Sequence, residues 1–155
     1  MKIRIKPEDI TYTLLCLEED LPIEENASAC DEETDAKVEQ WIKNQLNSGN
    51  PWAWCCVHLR GAYVHQEKTY TADDYLGACS YASQEDFEKD GYYEDMKEMI
   101  AAEISKQISD EESKALMAQA CNALVDAYER GGENGGSVAW EDVDDAYVLA
   151  EQALL

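Results

Sequence analysis

Positive charge is what this sequence most lacks. Twelve Lys and Arg stand against 34 Asp and Glu, which gives a formal net charge of −22 and an isoelectric point near 4.1. A surface of that sign repels phosphate backbones and anionic lipid, so direct binding to nucleic acid or to a membrane is not expected. Long apolar runs are missing too, and nothing approaches the roughly 20 residues of a membrane span. The start, Met1-Lys2-Ile3-Arg4-Ile5-Lys6, carries charge with no apolar stretch behind it, so no secretion signal is read there. The expected location is a reducing bacterial cytoplasm. Cys16, Cys30, Cys55, Cys56, Cys79 and Cys121 are therefore expected as free thiols, mostly buried as small hydrophobes.

Catalytic and metal-binding patterns are equally scarce. Histidine occurs only at His58 and His65, so a Cys or Ser nucleophile has few bases to choose from. No Gly-x-Ser-x-Gly elbow is present, and among 34 carboxylates any one pair is uninformative. Cys55, His58 and Cys79 fall on what read as neighbouring strands, with Cys30 or His65 in possible reach. Zinc needs four converging ligands, however, and adjacent Cys55 and Cys56 point to opposite sides of a strand. No Cys-x-x-Cys pair exists. The expectation is a protein that is not an enzyme and holds no metal and no cofactor.

What is present is enough to fold. The chain has 155 residues, 45% of them hydrophobic, with four Trp and nine Tyr, a size that suits one domain with a core of its own. Alternation predicts short strands over 2–6 and 10–17. Helical spacing of Val38, Trp41, Ile42 and Leu46 predicts a helix over 34–47, capped by Thr34 or Asp35 and stopped by Gly49 and Pro51, with Trp41 as its core anchor. The strongest strand signal runs over 52–64. Trp52, Trp54, Cys56, His58 and Arg60 share one parity there, and Ala53, Cys55, Val57, Leu59 and Gly61 share the other. After a turn at 65–69, residues 70–81 return, with a bulge or close backbone approach at Gly77.

Ser83, followed by Glu85 and Asp86, starts a short helix. Gly91 separates it from a longer helix over 92–107, whose apolar stripe is Tyr92, Met96, Met99, Ile100, Ile104 and Ile108. Ser109-Asp110-Glu111-Glu112 matches a capping box and predicts a new helix over 110–130. Its stripe is Leu116, Met117, Ala120, Leu124, Ala127 and Tyr128. The glycines at 131–136 read as a linker, since no Lys-Ser or Lys-Thr follows them, and a last helix spans 140–153. The expected fold is a single α+β domain, a small antiparallel sheet packed against three or four helices, with 109–155 as a possible helical extension.

Residues 49–99 carry a pattern: Gly49-Asn50-Pro51-Trp52-Ala53-Trp54, Tyr75-Leu76-Gly77-Ala78-Cys79-Ser80-Tyr81, Asp86-Phe87, and Gly91-Tyr92-Tyr93-Glu94-Asp95-Met96. Upstream, Asp20-Leu21-Pro22-Ile23-Glu24-Glu25-Asn26-Ala27 fits with it. The pattern resembles small proteins encoded by bacteriophages, prophages and plasmids, over roughly the central half of the chain. The resemblance implies a mobile-element origin and carries no catalytic residue with it. In size and charge the chain is also similar to acidic inhibitors that imitate DNA and block restriction enzymes, CRISPR effectors or nucleoid proteins.

Carboxylates three or four apart on a helix stand about 5–6 Å from each other, comparable with phosphates along a nucleic-acid strand. The sequence therefore points to an inhibitor whose acidic helix faces occupy the cationic groove of a host nucleic-acid-binding protein or defence complex. The contact residues expected are Glu94, Asp95, Glu98, Glu141, Asp142, Asp144 and Asp145, with Trp52 and Tyr93 as anchors. Two other readings stand beside it. One is a regulatory or structural protein that binds through apolar surface, such as a homodimer buried on Trp52, Trp54 and a sheet face. The other is a small metal protein or enzyme built on Cys55, His58 and Cys79.

Overall fold

A computed structural model describes residues 3–27, 31–133 and 140–154. They form, in chain order, β1 (Thr11–Glu18), α1 (Glu32–Asn47), β2 (Cys55–His65), β3 (Lys68–Cys79), α2 (Gln84–Glu88), α3 (Gly91–Glu133) and α4 (Trp140–Leu154). The strands make one antiparallel sheet in the order β1-β2-β3, and with four helices the chain is α+β, as its patterning predicts. It divides into two units: Ile5–Ile104, which holds the sheet, and Ser105–Leu155 with Met1–Arg4.

β2 is the central strand, and its alternation sets the core. Cys55, Val57, Leu59 and Gly61 are all buried. Leu59 lies opposite Leu14 of β1, and Gly61 lies opposite Ala72 of β3. Gly61 is required by close approach, since a Cβ there would stand 2.4 Å from Ile100 Cγ2 and 2.9 Å from Ile10 Cγ2. The expected turn at 65–69 narrows to two residues, Gln66 and Glu67, both at positive φ (48° and 66°). That is the conformation whose twist matches a hairpin, usually given to Asn-Gly. At the other end of β3 the register shifts between Cys55 and Val57, the bulge expected around Gly77. The left-handed residue is Ala78, φ 53°, and its N–H donates to the Glu19 carboxylate.

Five local expectations are corrected. Residues 3–6 form no strand, because alternation without a neighbouring strand to pair with does not hold. α1 is capped by Asp31, whose carboxylate accepts from Thr34 N and Thr34 Oγ1, both at 2.9 Å. Its core anchor is Ile42, fully buried, while Trp41 is 41% exposed. β2 starts at Cys55 instead of 52: Pro51–Ala53 is a 3-10 turn in which Asn50 Oδ1 accepts from Trp52 N at 3.1 Å.

The fifth correction is the largest. α3 runs unbroken from Gly91 to Glu133, because no Gly or Pro interrupts 92–130. Ser109 does not cap a new helix; its hydroxyl accepts from Ile3 N at 3.2 Å. α3 includes Gly131 and Gly132, and the rest of the expected linker, 134–139, lies outside the described residues.

Ile42 packs with Ala27, Ala53 and Trp54, and with Ile23, Val38 and Ala78 around them. The Trp54 indole donates to Leu21 O at 2.8 Å. On α3, Met96, Ile100, Ile104 and Ile108 are buried as their spacing predicts, whereas Met99 is 66% exposed.

Candidate partner-binding surfaces

The first turns of the helices collect acid: Glu32, Glu33 and Asp35 on α1, Glu85 and Asp86 on α2, and Glu94 on α3. Carboxylates at a helix N-terminus face its positive end, which offsets part of their mutual repulsion. Four lysines are paired with carboxylates close to them in sequence or space. Lys37 pairs with Glu33 at 2.7 Å, Lys43 with Glu24 at 2.6 Å, Lys6 with Glu8 at 3.7 Å, and Lys97 with Glu94 at 2.8 Å. Of the expected contact residues, Glu94, Asp95 and Glu98 are exposed on α3, and Asp144 and Asp145 are exposed on α4. Glu141 and Asp142 fall in the first turn of α4, and their side chains lie outside those described. The two groups of acids belong to different units.

Trp52 and Tyr93 are brought together, but as packing. Both are half-buried against Phe87, the chain's single phenylalanine. Trp52 stacks on it at 5.8 Å, Tyr93 meets it edge-on at 5.8 Å, and Tyr81 does so at 5.1 Å. The Tyr81 hydroxyl donates to Asp90 at 2.9 Å, and Asn50 Nδ2 donates to Ala82 O at 3.1 Å. Residues of the 49–99 pattern therefore converge on one aromatic cluster. Among the described tryptophan side chains the exposed one is Trp41, which lines a shallow depression along α1 with Glu33, Ala36, Lys37, Gln40 and Asn44.

The open face of the sheet holds a cluster that sequence reasoning missed. Register places Arg60 opposite Asp73 and His58 opposite Tyr75. The Asp73 carboxylate accepts from Arg60 Nε at 2.7 Å and Arg60 Nη2 at 3.2 Å, and His58 Nε2 lies 2.6 Å from it. Arg60 first and His58 second hold the Asp73 carboxyl below the ordinary aspartate value. Tyr75 stacks on His58, ring centres 4.3 Å apart and planes 3° from parallel. Leu15 lies opposite His58 and Leu17 opposite Cys56 on β1, both exposed. Parity on β2 was readable in sequence, but the β2–β3 register that joins Arg60 to Asp73 was not.

The cysteines and His58 do not form one site. Cys55 lies opposite Cys79, on the side of the sheet with Val57 and Leu59, and His58 is on the other. Burial pushes the Cys79 thiol up to about 11 and, with a hydrogen bond to Cys16, pushes Cys55 higher still. Both stay protonated at neutral pH. Among the described residues no group of three or more His, Cys, Asp or Glu is placed to hold a metal ion. Compared with known protein families, curated proteins and solved structures, the chain finds no match in any of the three.

Proposed function

We propose that this protein acts by binding rather than by catalysis, and that it occupies a cationic surface with which another protein holds nucleic acid. A mobile-element origin and a host nucleic-acid-binding protein or defence complex as target are part of that reading. The observation that carries it is the uncompensated acid: Lys37, Lys43 and Lys97 are each committed to a local carboxylate. Glu32 and Glu33 on α1, Glu85 and Glu88 on α2, and Glu94, Asp95 and Glu98 on α3 are exposed. A cationic groove offers those carboxylates the counter-charge the chain does not supply, with fast association. Trp41, exposed beside Glu33 on α1, is the aromatic anchor of this reading in place of Trp52 and Tyr93.

The test is capture from a nuclease-treated bacterial lysate, followed by competition. Bound protein is expected to be displaced by duplex DNA and to bind about tenfold or more weakly between about 0.05 and 0.3 M salt. Glu94→Lys combined with Glu98→Lys is expected to weaken capture likewise, and Trp41→Ala to speed dissociation. A partner indifferent to salt and to DNA would overturn the proposal.

A second reading has its own observation. Leu15, Leu17, Tyr75 and Val64 are exposed on the sheet around the Arg60–Asp73–His58 cluster, which suits a partner held through mixed apolar and polar contacts. Binding lost on Leu15→Glu but unmoved by salt would select it.

A further inference from the structure

Residues 115–125 of α3 carry no charge, in a chain of which 30% is charged. Across that window and the turn after it, Met117, Cys121, Leu124 and Tyr128 recur at alternating four- and three-residue spacing, the seam of a helical pair. All four are exposed: Met117 38%, Leu124 45% and Tyr128 75%, with Cys121 also open. Val125 beside them is 55% exposed. On the adjoining face Ala120 and Ala127 are buried. This stretch of α3 therefore turns Ala120 and Ala127 inward and Met117, Leu124, Val125 and Tyr128 outward, with Leu116 half-buried, where an ordinary surface helix buries its large apolar side chains.

We propose that a second copy of this chain covers the seam, with the two α3 helices antiparallel. Antiparallel alignment sets Met117 level with Tyr128 of the second copy, sulfur against ring, and Cys121 level with its Leu124. The seam is thus complementary to itself. A parallel pair would instead lay Asp110, Glu111 and Glu112 against their own copies, and Asp126 and Glu129 against theirs, like charge on like. For two chains of net charge −22, an uncharged window is where contact meets least repulsion, whereas a cationic partner gains nothing there. From ordinary side-chain areas, two such stripes remove on the order of 1,000 Å² from water, the size at which specific interfaces begin. This surface is separate from the acidic one, and salt acts on the two in opposite senses.

The test is the mass of the full-length chain in solution by sedimentation equilibrium, at about 10–200 μM and at low and high salt. A species of twice 17.5 kDa is expected, favoured by salt. Leu124→Glu, and separately Tyr128→Glu, alter exposed positions and should leave the circular dichroism unchanged while weakening the dimer at least about tenfold. Antiparallel geometry offsets the two Cys121 residues by three residues, about 4.5 Å, along the axis and sets each level with position 124 of the other copy, within reach of a short bismaleimide. A chain monomeric at every concentration and salt, or a dimer unmoved by both variants, would overturn the proposal. In Leu124→Cys, disulfides joining each position to its own counterpart, instead of Cys121 to position 124 of the second copy, would overturn the antiparallel arrangement.

Discussion

Glu19 shows what one carboxylate does among 34. Its Oε2 accepts from Ala78 N and its Oε1 from Leu21 N at 3.1 Å, so one side chain ties the exit of β1 to the bulge of β3. Those backbone hydrogen bonds, Ala78 first and Leu21 next, hold its carboxyl below the ordinary glutamate value. A carboxyl depressed in the folded state contributes stability that is complete above its unfolded pKa and is lost as pH falls through the folded one. Glu19→Ala is accordingly expected to cost about 1–2 kcal/mol at neutral pH in urea unfolding, with the partly wet site keeping the figure modest. The gap from wild type should close as the titration is repeated toward about pH 3. A gap that stays constant with pH would assign the loss to packing instead. Nothing in the sequence singles Glu19 out, because its role depends on a bulge far along the chain.

Elements were legible where local signals were enough. β1, the body of α1, the β2–β3 hairpin, the Ser83 cap and α4 follow from alternation, helical spacing and turn residues. Ser83 Oγ accepts from Asp86 N at 3.2 Å, as its position predicts. Signals that depend on context misled. Ser109-Asp110-Glu111-Glu112 reads as a helix start, yet without a breaker the helix simply continues and Ser109 bonds Ile3. The parity of Trp52 and Trp54 extended the strand pattern backwards, but Asn50 and Pro51 fold that stretch into a 3-10 turn. Trp41 and Ile42 are neighbours in sequence, and spacing alone could not say which faces inward. Of the candidate site, the surface acids on α3 were legible from composition and spacing, whereas the Arg60–Asp73–His58 cluster needed the register. Register also decides the test at this scale. Gly61 faces Ile100 and Ile10 at distances no Cβ tolerates, and the atoms in the way are Cγ2 groups with little freedom to move. Gly61→Ala is expected to destabilise by about 1–3 kcal/mol, read as a lower midpoint in thermal unfolding. An unchanged midpoint would mean that α3 stands farther from β2 than this packing requires.

At the scale of the whole chain the acid surplus is a strain and a resource together. A net charge of −22 repels itself, and the pairs that relieve it are local and exposed, such as Lys37–Glu33, each worth a few tenths of a kcal/mol. Surplus repulsion should therefore outweigh exposed pairing, and screening should stabilise the fold. Raising sodium chloride from about 0.02 to about 0.5 M shortens the screening length several-fold and is expected to raise the unfolding midpoint by several degrees, at about 2–4 °C per kcal/mol for a chain of this size. The same salt should weaken attachment to a cationic partner while favouring self-association through the uncharged window of α3. These opposite responses share one cause, the field of unneutralised carboxylates. A midpoint that fell with salt would mean that the few ion pairs stabilise the chain more than the surplus acid strains it. Binding a cationic surface would then relieve no strain in the free protein, and affinity for such a surface would have to come from the contacts alone.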